Sequence, residues 1–126
     1  MKLRIKGNSL RLRVSPSDLE RLISAGRVEE IIRFTQEPDA TLTYALEQTP
    51  SRQEISVRYR PQEITVVLST ESARNWADGE QVGIYGSLAV GSDQLALAVE
   101  KDFACLDGND ASNEDTFANP KTVPIC

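Results

Sequence analysis

The chain has 126 residues, of which 40% are hydrophobic, and a formal net charge of −5, a composition typical of one globular domain with a single core. No apolar run approaches the ~20 residues of a membrane span and no apolar segment follows the N-terminus as in a secretory signal, so a cytoplasmic protein without a membrane partner is expected. The chain lacks histidine, which excludes Ser–His and Cys–His nucleophile pairs, and Cys105 and Cys126 form neither a disulfide framework nor a zinc motif.

The first half of the chain predicts four strands and one helix in the order ββαββ. Apolar and polar residues alternate, as in strands, over residues 2–6, 10–14, 28–34 and 42–46. Gly7-Asn8 signals a turn between the first two strands. Ser15-Pro16-Ser17-Asp18 starts the helix, because serine caps a helix and proline suits its first position. Gly26 ends it.

The second half predicts the same order of elements. Strand patterns cover residues 56–60, 64–68, 81–85 and 94–100. Ser69 caps the intervening helix, which carries Trp76 on its predicted buried face, and Asp78-Gly79 turns the chain after it. Thr49-Pro50-Ser51-Arg52 is the predicted joint between the halves.

The two halves align when the chain is shifted by 53 or 54 residues. Leu10, Leu12 and Val14 fall on Ile64, Val66 and Leu68, and Val28 falls on Val82. We therefore predict an internal duplication, with repeats at about residues 2–48 and 56–101. The predicted fold is α+β, mainly β, with eight short strands closing one small barrel over residues 1–102. Residues 103–126 form an acidic C-terminal tail.

A resemblance to a known group of domains rests on the opening hairpin. Residues 6–14, KGNSLRLRV, followed by Ser15-Pro16 and a helix, resemble the SpoVT/AbrB–MazE swapped-hairpin DNA-binding domains. In that group two units close one barrel. The resemblance implies that the two halves of this chain do so as a monomeric pseudo-dimer, and it implies a DNA-binding regulator. The second half departs from the motif, with Pro61-Gln62-Glu63 in place of Gly-Asn-Ser.

The chain is also similar to a group of small uncharacterised bacterial proteins. These begin MKLRIKGNSLRLR and continue to a VEKDFACLD stretch, which occupies residues 99–107 here. The resemblance implies a bacterial source and supplies no activity.

Basic residues are concentrated in the first half of the chain. Residues 1–60 have a net charge of +3 and residues 61–126 a net charge of −8. Alternation places the basic side chains on one side of each early strand, and such a cluster can neutralise the phosphates of a nucleic acid. Asparagine and arginine side chains can also form hydrogen bonds with the edges of bases. The predicted nucleic-acid-binding residues are Lys2, Arg4, Lys6, Asn8, Ser9, Arg11, Arg13, Arg58 and Arg60.

Two other functions stay open at this point. A protein-interaction module, antitoxin-like in character, would use the acidic tail to bind a basic protein, or the tail would dock on its own domain. A triphosphate-hydrolysing tunnel enzyme would use Glu47 and Glu100 around a divalent metal, although the Glu-x-Glu-x-Lys signature of such enzymes is absent. We expect a protein without catalytic activity and assign no catalytic residue, cofactor or metal ligand.

Overall fold

The structure is a computed structural model and describes residues 1–104 and 115–118. Its elements follow the order that the sequence predicts. Their bounds are β1 (Lys2–Ile5), β2 (Ser9–Val14), α1 (Pro16–Ala25), β3 (Arg27–Arg33), β4 (Thr41–Thr49), β5 (Ile55–Arg60), β6 (Glu63–Ser69), α2 (Thr70–Asp78), β7 (Gly83–Val90) and β8 (Asp93–Lys101). The fold is therefore mainly β, with two short helices.

The strands form two four-stranded sheets rather than one closed barrel. The first sheet has the order β1-β2-β8-β7 and the second the order β3-β4-β6-β5. The central pairs, β2 with β8 and β4 with β6, are parallel. Among the described residues no ladder joins the two sheets. Edge strands β5 and β7 meet instead through the side chain of Ile55, which packs where a Cβ on Gly86 would lie. The predicted closed barrel is thus corrected to two sheets.

Each sheet combines one hairpin from each half of the chain, and the two central registers match. Ser9 pairs with Ala96 in the first sheet, and Glu63 pairs with Thr43 in the second. A shift of 54 residues carries Ser9 to Glu63, and a shift of 53 carries Thr43 to Ala96. The shifts found in the sequence therefore also relate the two central strand pairs.

The predicted alignment of Val28 with Val82 needs correction. Val28 pairs with Leu46, whereas Ile84 pairs with Val99, and Leu46 and Val99 are the positions related by the shift of 53. Ile84 therefore takes the place of Val28, and both side chains are buried. Strand β7 accordingly starts later than predicted, at Gly83, and extends to Val90.

One hydrophobic core lies between the sheets and beneath the two helices. Alternate residues of the strands face it, as the period of a strand requires. Trp76 from α2 is fully buried in it, as predicted. The buried cluster comprises Leu12, Val14, Leu19, Leu22, Val28, Leu46, Ile55, Val66, Leu68, Ala73, Trp76, Ile84, Leu97 and Val99. No helix in the described part of the chain is long and apolar enough to cross a membrane.

Both helices begin at the predicted serine caps. The Ser15 hydroxyl accepts a hydrogen bond from the Asp18 amide at 3.2 Å, and the Ser69 hydroxyl accepts one from the Ser72 amide at 3.1 Å. Gly26 ends α1 in the left-handed conformation, with φ of 84°. These local signals are confirmed because a cap depends on neighbouring residues and not on tertiary packing.

The two corresponding hairpin turns have different geometries, which explains their different sequences. In the β1–β2 turn, Gly7 has φ of 55° at the first central position, the pattern of a type II′ turn that favours glycine there. In the β5–β6 turn, Gln62 has φ of 66° at the second central position and follows Pro61, the pattern of a type II turn. Gly-Asn-Ser therefore has no counterpart in the second half.

The first turn yields a testable prediction. We expect Gly7→Ala to lower the free energy of unfolding by about 1–2 kcal/mol, because a residue with a Cβ pays that cost at positive φ. A Cβ on Gly7 meets no atom within 4 Å, so the backbone conformation alone carries the effect. Urea unfolding followed by circular dichroism measures it, with Ser24→Ala on the exposed face of α1 as control. Unchanged stability of Gly7→Ala would contradict the turn geometry.

Candidate nucleic-acid interface

The outer face of the first sheet, turned away from the core, carries the basic side chains of β1 and β2. Lys2 lies opposite Arg13, and Arg4 lies opposite Arg11. The intervening pair Leu3–Leu12 points to the core, because successive side chains of a strand alternate between faces. We call this surface the basic face; its residues are Lys2, Arg4, Lys6, Ser9, Arg11 and Arg13.

A small concave pocket lies within the basic face. Arg4, Lys6, Ser9 and Arg11 line it, and its volume is about 140 Å³, well above the ~10–15 Å³ that one water needs. The Ser9 hydroxyl donates to the Lys6 carbonyl, which fixes the hydroxyl at the rim. Three cationic side chains around one cavity provide charge-assisted donors for an oxyanion such as a phosphate.

The positive charge of the basic face is only partly neutralised. Lys2 Nζ lies 2.9 Å from Asp102 Oδ2, and Arg11 Nε lies 3.2 Å from Glu100 Oε1. Within residues 1–104 and 115–118, no carboxylate forms an ion pair with the other three cations, Arg4, Lys6 and Arg13. Five cations against two carboxylates leave a formal excess of three positive charges.

The outer face of the second sheet carries paired charges instead. Arg58 binds Glu47 through two hydrogen bonds of 3.0 and 3.2 Å, and Arg27 Nη1 reaches Glu47 Oε1 at 3.1 Å. These hydrogen bonds, those from Arg58 first, lower the pKa of Glu47 despite its partial burial. Arg60 lies opposite Glu63 in the β5–β6 register. The structure therefore does not bring Arg58 and Arg60 to the basic face.

Asn8 positions the hairpin and has little freedom to contact a base. Its side-chain Nδ2 donates to the Gln94 carbonyl at 2.7 Å. Its own carbonyl accepts from the Ala96 amide at 3.1 Å. Asn8 therefore ties the β1–β2 turn to β8 at the edge of the basic face.

Tyr85 lies on the same outer face and is not among the binding residues that the sequence predicts. It pairs with Ala98 across β7 and β8, and Ala98 pairs with Arg11 across β8 and β2. The Tyr85 hydroxyl donates to Glu100 Oε2 at 2.7 Å. Burial, this hydrogen bond and the charge of Glu100 raise the pKa of Tyr85 to about 12, so the phenol is neutral at physiological pH. The sequence pattern does not indicate the position of Tyr85, because the predicted strand ends at this residue whereas β7 continues to Val90.

The two candidate carboxylates for metal-dependent chemistry lie on different sheets. Glu47 is on β4 in the second sheet, and Glu100 is on β8 in the first. Each binds an arginine on its own outer face, so the two do not share an interior space. Among the described residues no group of three or more carboxylate or thiol side chains is arranged to hold a metal ion.

The described part of the tail docks on the helical side of the molecule. Phe117 donates its amide to the Asp102 carbonyl at 2.9 Å, and Phe103 and Phe117 form a parallel bridge. Asp115 accepts a hydrogen bond from the Ser17 hydroxyl. Phe117 also borders an apolar pocket of about 350 Å³ with residues of α1 and α2. The predictions that concern Cys105, Cys126 and the rest of the tail fall outside the described residues.

Comparison with models of protein families finds a match over nearly the whole chain. The model of a family whose function is described as unknown matches residues 1–121. No curated protein and no solved structure matches the chain. The comparisons therefore provide no link to the SpoVT/AbrB–MazE domains that the opening hairpin resembles.

Proposed function

Because the chain belongs to a family of unknown function (DUF7009), we propose its function from the site itself: the basic face binds the sugar–phosphate backbone of nucleic acid. The observation that carries the proposal is the pocket lined by Arg4, Lys6, Ser9 and Arg11, beside cations without a carboxylate partner among the described residues. Released counterions favour such binding whatever the base sequence.

The spacing of the cations suits a chain of phosphates rather than one isolated anion. Side chains two residues apart on a strand lie about 6.8 Å apart, and neighbouring strands lie about 4.8 Å apart. Lys2 and Arg4 lie on β1 at that spacing, Lys6 comes directly after its end, and Arg11 and Arg13 lie on β2. The face therefore presents two parallel rows of donors along which a polyanion can lie.

In its finer form, the proposal is a single-chain, duplicated relative of swapped-hairpin DNA-binding regulators. The matching strand registers of the two halves support a duplication. The hairpin of the second half does not support a second binding face, because Thr65 and Val67 stand where Arg11 and Arg13 stand in the first half. Thr65 is fully buried. The proposed protein thus has one binding face per chain and does not need a symmetric operator.

The alternative functions have less support. A module that captures a basic protein through its acidic tail needs that tail to be accessible, yet Asp115 and Phe117 contact the chain's own domain. A triphosphate tunnel needs Glu47 and Glu100 to face a common interior, and they lie on separate sheets.

Binding to a labelled nucleic acid of mixed sequence tests the proposal. We expect fluorescence anisotropy at low salt to show binding that weakens steeply as salt rises. Combined Arg4→Gln, Lys6→Gln and Arg13→Gln should reduce affinity at least tenfold, because it removes the three cations without an internal ion pair. The slope of log K against log salt should become shallower by about 2–3.

A matched control removes the same charge elsewhere. Arg21, Arg33 and Arg74 are exposed and lie outside the basic face, so changing all three to Gln should alter affinity much less. Equal losses in the two triple variants would show that only net charge matters. That result, or a wild-type protein that fails to bind at low salt, would overturn the proposal.

A further inference from the structure

We infer that the basic face takes a single-stranded nucleic acid and that Tyr85 is the surface on which one of its bases stacks. This inference rests on the proposed function and specifies the class of nucleic acid that the basic face binds. Its starting point is the row of outer-face residues that runs across the first sheet through Arg4, Arg11, Ala98 and Tyr85. Cations occupy one end of this row and an aromatic ring occupies the other.

The surface between the cations and the ring is formed by short side chains, and Glu100 borders it on one side, where it binds both Arg11 and Tyr85. Ala96 and Ala98 are the outer-face residues of β8 beside Ser9 and Arg11, and a methyl group is too short to obstruct a ligand. Two strand spacings, about 9.6 Å, separate the backbone of Arg11 from that of Tyr85. A nucleotide whose phosphate lies in the pocket therefore extends across the alanines with its base toward Tyr85.

The orientation of Tyr85 suits stacking. Tyr85 is 55% exposed, while its hydroxyl is held by Glu100 on the neighbouring strand at 2.7 Å. Gly83 leaves room for this arrangement, since a Cβ there would lie 3.1 Å from the Tyr85 hydroxyl and 3.0 Å from Glu100 Cγ. The ring is thus held along the sheet at its hydroxyl end and remains open to solvent. Basic grooves combined with such aromatic surfaces are typical of single-strand binding.

A duplex fits this surface less well. The bases of a duplex are already stacked on one another and are not available to stack on the ring of Tyr85, so a duplex contacts only the cations. A two-fold symmetric protein that binds duplex DNA also places two equivalent elements, here two hairpins, on successive half-sites. Here Arg58 on the second hairpin is bound to Glu47, and that hairpin lies in the other sheet.

The test compares labelled single-stranded DNA, single-stranded RNA of the same mixed sequence and the corresponding DNA duplex by anisotropy. We expect the wild-type protein to bind at least one of the single strands more tightly than the duplex. Tyr85→Ala should weaken single-strand binding about tenfold or more, leave duplex binding unchanged and keep the salt slope. Tyr85→Phe should retain single-strand binding, because stacking needs the ring and not the hydroxyl.

Tyr59 supplies the matched control. It is an exposed tyrosine on β5 in the second sheet, so Tyr59→Ala should leave all affinities unchanged. Equal binding of single strands and duplex, or unchanged single-strand affinity in Tyr85→Ala, would overturn the inference. If the Arg4, Lys6 and Arg13 variant still lost binding in that case, the proposed function would stand without it. A wild-type protein that binds none of the three nucleic acids would overturn both.

Discussion

Replacing Trp76 with alanine is expected to lower the free energy of unfolding by about 3–5 kcal/mol. The indole is fully buried in the core, and the change removes its packing contacts and leaves a cavity that the surrounding side chains only partly fill. The Nε1 group also donates to the Val82 carbonyl at 3.2 Å, which leaves that carbonyl without this donor in the variant. Since proteins of this size are stable by only ~5–15 kcal/mol, this loss removes a large part of the total stability and raises the unfolded fraction.

Urea unfolding followed by far-ultraviolet circular dichroism measures this effect, because Trp76 is the chain's one tryptophan and fluorescence is lost with it. Trp76→Phe is the matched control. It keeps an aromatic ring in the core and loses the hydrogen bond, so we expect less than half the destabilisation of Trp76→Ala. A loss below about 1 kcal/mol in Trp76→Ala would contradict the central position of this side chain in the core.

The hydrogen bond from Trp76 also connects the core to the candidate site. Val82 directly precedes β7, and its carbonyl accepts both the indole N–H and the Lys101 amide, the latter at 2.9 Å. These bonds hold the beginning of β7, which carries Tyr85, against the end of β8, which carries Glu100. The position of the stacking surface therefore depends on core packing.

The helix starts could be predicted because they depend on neighbouring residues. The bounds of strand β7 could not, because they depend on pairing with a strand that is distant in the sequence. Ser15 and Ser69 cap their helices through residues three positions away. Strand β7 is different, because glycines at 83 and 86 interrupt its apolar alternation and give little local signal. Its bounds follow from its register with β8, where Ile84 pairs with Val99.

The basic face was predictable in part for the same reason. Alternation alone places Arg4 and Lys6 on one side of β1, and Arg11 and Arg13 on one side of β2. The partners of those residues are long-range: Glu100 on β8 reaches both Arg11 and Tyr85. Nothing in the β5 pattern reveals that Arg58 lies in another sheet beside Glu47, because hairpin periodicity does not specify which sheet a hairpin joins.

The asymmetry between the two sheets comes from a few side chains. Arg58 corresponds to Arg4 in the alignment of the halves, and Glu47 corresponds to Glu100. In the second sheet Glu47 binds Arg58 and Arg27 together. In the first, Glu100 binds Arg11 and Tyr85, which leaves Arg4 without an ion pair to a described carboxylate. Arginines bound to Glu47 thus lie on the outer face of the second sheet, whereas the outer face of the first sheet carries cations without a carboxylate partner among the described residues.

Blocking the N-terminal ammonium by acetylation is expected to lower stability by about 2 kcal/mol at neutral pH, because it removes one partner from a partly buried, hydrogen-bonded ion pair. The Met1 ammonium lies 2.7 Å from Asp18 Oδ2 and 3.0 Å from Glu30 Oε2. It therefore joins the start of β1 to α1 and β3. Acetylation leaves the mostly buried Asp18 carboxylate without this charge partner.

The pH dependence of this contribution has a definite sign. Burial lowers the pKa of the ammonium, but its hydrogen bonds and charge interactions with Asp18 and Glu30 outweigh burial and raise that pKa above its ordinary value. Burial raises the pKa of Asp18, but the hydrogen bonds from the ammonium and from Ser15 outweigh it and lower that pKa. The ammonium therefore stabilises the fold fully below pH ~8 and loses its contribution as pH rises through its folded-state pKa. The Asp18 contribution is present above pH ~4 and is lost as pH falls through its lowered pKa.

Chemical unfolding of the free and acetylated proteins across this range tests both the size and the sign of the effect. The difference in unfolding free energy should be largest between about pH 4 and 8 and should shrink toward either extreme. Asp18→Asn is the matched control: it should be destabilised itself, and acetylating it should then cost less than acetylating the wild type, because only the contact with the more exposed Glu30 remains to be lost. A stability difference that is independent of pH, or acetylation and Asp18→Asn effects that simply add, would show that the terminal ammonium does not hold α1 against the sheets.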